Sequence, residues 1–260
     1  FPELFKKKDL FQLNLWGGYS VRSARKIITI SQSAKNDIIR EYRVDPSKIS
    51  IVYPGLKFEI RNSKFETNSK SKMPNSKQIL NKYGIDSKFI LFVGTLQPRK
   101  NVVRLIEVFA KLSDRKLNLV IIGRRGWQFD EILEAPNKFG VEDKVRFLDS
   151  VTDEELPAFY ESAELFILPS LYEGFGLPIL EAMMYGCPVL TSNVSSLPEA
   201  GGNAAVYFDP ENVSDIAEKI EKVLSDEKLR AKMKKEGFEQ VKKFSWEKSA
   251  KQVLKVLESV

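Results

Sequence analysis

Residues 169–182 read P-S-L-Y-E-G-F-G-L-P-I-L-E-A, a short glycine loop between an apolar run and the start of a helical pattern. Such a junction gathers free backbone N–H groups and the positive end of a helix dipole at one point, an anion site suited to a diphosphate. Gly174 and Gly176 let the backbone come close to a ligand. Pro178 fits the first helical position, where its missing N–H costs nothing. Two carboxylates flank the loop: Glu173 precedes it and Glu181 lies one turn into the helix. A carboxylate beside a bound anion is repelled unless it serves hydroxyl groups, and those of a sugar and a ribose are suitable donors. Taken singly, Glu181 reads as a first-turn acid favoured by the dipole, and Glu173 as a loop acid that contributes little to the core. As a pair around G-F-G-L-P they read as a site.

Composition removes several chemistries. None of the 260 residues is histidine, so the commonest general base and neutral metal ligand are missing. With a single cysteine, Cys187, histidine triads and zinc or iron–sulfur sites are excluded, and no internal disulfide forms. One cysteine fits a cytoplasmic chain, free or at the inner face of the membrane. The net charge of +6 suits nucleic acid, an anionic membrane or small anions. Because the lysines are spread along the chain, a solvated surface is the favoured reading, and a nucleic-acid partner is not expected. No apolar run approaches the ~20 residues that span a bilayer. The first residue is Phe1 rather than Met, so a fragment or a processed start is expected.

These residues need a scaffold, and from residue 89 onward the pattern supplies one. Short apolar runs at 89–93, 117–122, 144–148, 165–168, 189–191 and 205–208 predict six strands. Helical patterns fall at 102–112, 178–185 and over most of 213–260, with a helix to about residue 162 opened by a capping box of Thr152 and Glu155. Gly186 is the expected cap after the second of these. The alternation predicts an α/β fold, a Rossmann-like parallel sheet with helices on both faces and its ligand at the carboxyl ends of the strands. Before it, a strand at 25–31, a helix at 34–42 and a strand at 49–53 make a partial βαβ piece. Residues 56–88 are expected as a linker or surface loop, because 56–82 are rich in Ser, Asn and Lys. The opening residues mix Lys6–Lys8 with Phe1, Phe5, Phe11 and Trp16. Such a mix suits peripheral membrane contact or a partner domain, and the second is favoured.

E-G-F-G-L-P-I-L-E (173–181) resembles the E-x7-E motif of retaining GT-B glycosyltransferases of group 1. F-V-G-T-L-Q-P-R-K-N (92–101) resembles the family's first donor-domain loop, V-R-F-L-D-S-V-T-D-E-E-L (145–156) its base-binding loop, and S-S-L-P-E-A-G-G-N-A-A (195–205) its last cleft segment. Residues 30–55 resemble the end of its N-terminal domain. The resemblance implies the C-terminal half of a GT-B fold. Residues 1–55 would be a remnant of the acceptor-side domain, 89–243 the donor-binding domain, and 244–260 a helix crossing back. It implies that Arg99 and Lys100 hold a diphosphate, Glu173 the donor-sugar hydroxyls and Glu181 the ribose. Gly94, Thr95, Gly123 and Arg124 would line the nucleotide cleft, Val151 would pack on the base, and backbone N–H groups at Phe175, Gly176 and Leu177 would meet sugar and phosphate oxygens. Glu199 is a further donor-site candidate, with helix capping as the rival role. Thr95 stands where many relatives have Arg, and Asp149 where Gly is common. D-x-D is absent, which argues against a metal-held diphosphate. The expected activity is retaining transfer from a nucleotide-diphosphate sugar, with GDP-mannose favoured by the first loop, to a glycan or lipid-linked acceptor. No metal or other cofactor is expected. Partners would be the nucleotide sugar, the acceptor, and the missing N-terminal half or another chain. The alternative is a non-catalytic nucleotide-sugar-binding module.

Overall fold

The structure, a computed structural model, describes residues 16–56, 75–114 and 116–260. The opening phenylalanines and lysines, and residues 57–74 of the polar stretch, lie outside the described residues. After a helical stretch at 16–23 comes a small βαβ piece: β1 (Ile27–Thr29), α1 (Gln32–Tyr42) and β2 (Ile49–Ile51), the strands parallel with Ile27 opposite Ile49.

Within the span expected to be linker, the structure instead has helix α2 (Ser76–Lys82), capped by Asn75. Its Ile79, with the following Ile85, is buried in the main core. The segment is polar because this helix buries only Ile79, half-buries Ser76 and Leu80, and exposes its other residues.

The main unit runs β3 (Phe89–Val93), α3 (Val102–Lys111), β4 (Asn118–Ile122), α4 (Asp130–Phe139), β5 (Val145–Leu148), α5 (Leu156–Ser162), β6 (Leu165–Leu168), α6 (Leu177–Met184), β7 (Val189–Ser192), α7 (Leu197–Gly201) and β8 (Ala205–Phe208). Helices α8 (Val213–Ser225), α9 (Glu227–Val241) and α10 (Trp246–Glu258) follow. The six strands are parallel in the order β5-β4-β3-β6-β7-β8. The inner strands are buried on both faces, as in Ile90, Leu91, Val120, Ile121, Phe166 and Ile167, which is why their runs are continuously apolar rather than alternating. From β3 the chain winds outward to β5, returns beside β3 with β6, and winds the other way to β8. Loops leaving β3 and β6 therefore diverge, and a crevice opens between them at the carboxyl ends.

The capping box expected of Thr152 and Glu155 forms only in part, with the Glu155 carboxylate hydrogen-bonded to the Thr152 backbone. α5 begins at Leu156 without a side-chain cap, and Glu155 also accepts from Lys82 Nζ and the Tyr83 hydroxyl, each at 2.6 Å. Those contacts tie α2 to the sheet unit. At the other end, α10 leaves Leu254 and Leu257 exposed. No helix among the described residues is long and apolar enough to cross a membrane.

Candidate functional site

The loops after β3 and β6 meet at the crevice. A 3-10 turn, Pro98–Lys100, ends at Asn101, whose φ of 59° is a left-handed conformation that asparagine tolerates better than most residues. The Asn101 side-chain amide donates to the carbonyls of Pro169 and Pro210 at 3.1 and 2.8 Å, and the Leu171 N–H donates to the Arg99 carbonyl at 2.9 Å. These bonds stitch the β3 loop to the β6 loop and carry Arg99 and Lys100 to Glu173.

Glu173 is no peripheral loop acid: it is 8% exposed. Its Oε1 accepts from Lys100 Nζ at 2.5 Å and Ser170 Oγ at 2.6 Å, and its Oε2 from Arg99 at 3.0 Å. Arg99 also donates to the Tyr172 carbonyl. Burial alone would raise the Glu173 carboxyl, but the charge and hydrogen bond of Lys100, the Ser170 hydroxyl and the Arg99 guanidinium outweigh it, and the group sits below the usual carboxylate range. Two cations against one carboxylate leave a net charge of +1. A carboxylate offers about four acceptor positions, so three occupied ones leave room for a ligand hydroxyl.

Helices α3 to α7 all begin at the carboxyl edge of the sheet, and none has a side-chain hydrogen bond at its N-cap. Helices α1, α2, α8, α9 and α10 are side-chain capped, α8 among them although it too follows a strand of the sheet. α6 starts at Leu177, so Pro178 is its second residue rather than its first. Its N-cap is Gly176, whose φ of 106° favours glycine, as does Leu197, 3.0 Å from where a methyl group on Gly176 would sit. Glu181, further along α6, accepts from the buried Tyr160 hydroxyl at 3.0 Å.

On the β3–β4 side, a methyl group on Gly123 would lie 1.9 Å from the Gly94 carbonyl oxygen. Glycine is therefore required for the two strand ends to run on side by side, joined by Leu96 N–H to the Arg124 carbonyl at 2.9 Å. Thr95 and Arg124 are exposed beside this seam, and Val151 is half-buried against the core.

Residues 75–240, beginning one residue before α2, match the family described as glycosyl transferases group 1. The chain belongs to that family. It is 35% identical over 239 residues to an O-antigen chain mannosyltransferase B of Escherichia coli, covering 90% of this chain and 61% of the relative. It is 32% identical over 232 residues to a serotype-specific mannosyltransferase of the same species, covering 87% of this chain and 28% of that protein. The chain thus spans about three fifths of the first relative and less of the second. Its fold superposes on the Anabaena protein HepE, solved in complex with UDP and glucose, at a TM-score of 0.83 and 19% identity, covering 100% of this chain and 69% of that one.

In this group 1 chain, the structure brings Arg99, Lys100 and Glu173 into one cluster, and Gly94 against Gly123. Glu199 is engaged elsewhere: its two oxygens accept the first N–H groups of α1, from Gln32 and Ser33, at 2.7 and 2.8 Å, and the Tyr53 hydroxyl at 3.1 Å. Helix capping is therefore its observed role, at a different helix from its own. Reading the sequence missed Ser170, Ser195 and Ser196, which grip Glu173 through Oε1, the N–H and the carbonyl. Their signal was weak, a serine before and a serine pair after a glycine loop. The βαβ piece closes on the site through Tyr53, which packs on Phe175 and Phe244 at 5.5 and 5.7 Å between ring centres.

Proposed function

We propose that this chain is the donor-binding half of a retaining glycosyltransferase that uses a nucleotide-diphosphate sugar. The carrying observation is the Arg99–Lys100–Glu173 cluster at the sheet's switch point, with Lys100 and Glu173 buried and Glu173 three residues before the Gly176 N-cap of α6. Arg99 and Lys100 keep donors beyond those spent on Glu173, and with the helix N-terminus they would stabilise the charge that grows on the leaving diphosphate as the anomeric bond breaks. Glu173 would take a donor-sugar hydroxyl on its remaining acceptor position, and Glu181 the ribose. No metal takes part in these steps.

The organisation that goes with this reading is a donor domain over residues 89–243, with α2 packed at its head, and residues 244–260 crossing back to an acceptor-side domain of which 1–55 is the end. The extra length of the relatives supports an acceptor side outside this chain. GDP-mannose is the favoured donor, supported by the names of the mannosyltransferase relatives. The bound UDP and glucose of HepE support a nucleotide sugar as the class. A glycan or lipid-linked acceptor accords with the O-antigen relative. A thermal-shift screen of GDP-, UDP- and ADP-sugars tests the reading: at 100-fold over its Kd, the true donor should stabilise by about 2.7 kcal/mol. A flat response to every nucleotide sugar would overturn it.

A further inference from the structure

The Glu173 peptide is held from both sides, and each holder is itself tied to the βαβ piece. On one side, the neighbouring Tyr172 donates its hydroxyl to Asp37 Oδ2 of α1 at 2.7 Å. Arg40, one turn on, fixes the other oxygen of Asp37 at 2.7 Å, so this acceptor is oriented before Tyr172 reaches it. On the other side, the Glu173 N–H donates to Ser195 Oγ at 3.0 Å, and the fully buried Ser196 donates to the Glu173 carbonyl at 2.8 Å. Ser195 carries a φ of 54°, a left-handed strain that persists where the surroundings over-determine it. Three residues after Ser196, Glu199 binds the N-terminus of α1. Gly174 touches Ile30 just ahead of that helix, its methyl position 3.3 Å from Ile30 Cδ1.

We infer that Tyr172 and Glu199 are positioning residues, through which α1 sets the orientation of Glu173 and hence the fit of the sugar end of the donor. The inference rests on the proposed donor site. The turn that carries Arg99 and Lys100 has a backbone anchor of its own, because Asn101 fastens it to Pro169 and Pro210 without help from α1, and only the two side chains reach across to the Glu173 carboxylate and the Tyr172 carbonyl. Loosening the α1 contacts therefore acts selectively: nucleotide-sugar binding weakens while binding of the free nucleoside diphosphate does not.

The test is calorimetry on the full chain with GDP-mannose, UDP-glucose and ADP-glucose and with the matching free diphosphates. For the sugar nucleotide that the unmodified chain binds, Tyr172→Phe and Asp37→Ala should each weaken affinity about tenfold, the scale of one hydrogen bond to a charged acceptor. The double variant should be no worse than either single one. Asp37→Asn, which keeps an oxygen for the hydroxyl, should restore most of the affinity. Glu199→Gln, with one acceptor oxygen left for two N–H groups, should show the same selective loss. Free diphosphate affinity should stay within about twofold throughout. Equal losses for sugar nucleotide and free diphosphate, additive losses in the double variant, or no loss would overturn the positioning role while leaving the donor site standing. If the unmodified chain binds none of the three sugar nucleotides, the donor-site reading falls and this inference falls with it.

Discussion

Replacing Glu173 by glutamine separates the two tasks assigned to the cluster. The carboxylate holds Lys100 at 2.5 Å and Arg99 at 3.0 Å, and both Glu173 and Lys100 are 8% exposed. Glutamine keeps the shape and one acceptor oxygen but not the charge. Two unit charges about 4 Å apart attract by about 4 kcal/mol at an effective dielectric constant near 20, before desolvation is subtracted. Removing one partner of a buried pair typically costs about 3–5 kcal/mol. The retained oxygen offsets part of this, so a net loss of about 2 kcal/mol is expected. In a chain of this size that lowers Tm by about 4–8 °C. The same change releases two cations from an internal anion, so a free nucleoside diphosphate should bind about tenfold more tightly. Sugar transfer by the complete protein should be abolished. Scanning calorimetry, titration with the diphosphate and a turnover assay give the three readouts. An unchanged Tm together with weaker diphosphate binding would refute the ion-cluster reasoning, and wild-type turnover would refute the role of Glu173.

Stability should also depend on acid in a defined way. Glu173 lies below its ordinary value of 4.5 in the folded chain, so the unfolded chain takes up the proton first as pH falls. The contribution is complete above about 4.5 and is lost as pH drops through the folded value; chemical denaturation between about pH 3 and 5 should show a shallower slope for Glu173→Gln, and identical slopes would contradict this. Glu181→Ala should weaken nucleoside-diphosphate binding by about 1–3 kcal/mol, and unchanged affinity by calorimetry would remove its ribose role. Gly123→Ala forces a methyl group to within 1.9 Å of the Gly94 carbonyl, so the β3 and β4 loops must part. Destabilisation of at least about 2 kcal/mol by denaturant titration is expected, and a neutral result would mean the seam is not needed.

The strands of the sheet and the order of the main helices were legible because buried parallel strands leave unbroken apolar runs. α4 was not, since Pro136 interrupts the pattern inside the helix. α2 escaped because a helix that buries one residue looks like a polar linker. The Thr152–Glu155 box formed only in part, and its tertiary side was not legible: Glu155 also takes Lys82 and Tyr83 as partners, both more than 70 positions earlier. At the site, residue types and local geometry could be read, including the need for glycine near Gly176. The pairing of Glu173 with cations 73 and 74 positions away could not, because it depends on β6 returning beside β3. Likewise nothing local to Glu199 announces that it will cap α1, a helix 166 and 167 positions earlier in the chain.

The most direct test of the central claim is titration of the free nucleoside diphosphates and their sugars into the chain in the presence of EDTA, repeated with Arg99→Gln. Saturable binding without metal is predicted, weakened at least about tenfold when the guanidinium is removed. Binding that disappears in EDTA and returns with Mg²⁺ or Mn²⁺, or that is untouched by Arg99→Gln, would contradict it.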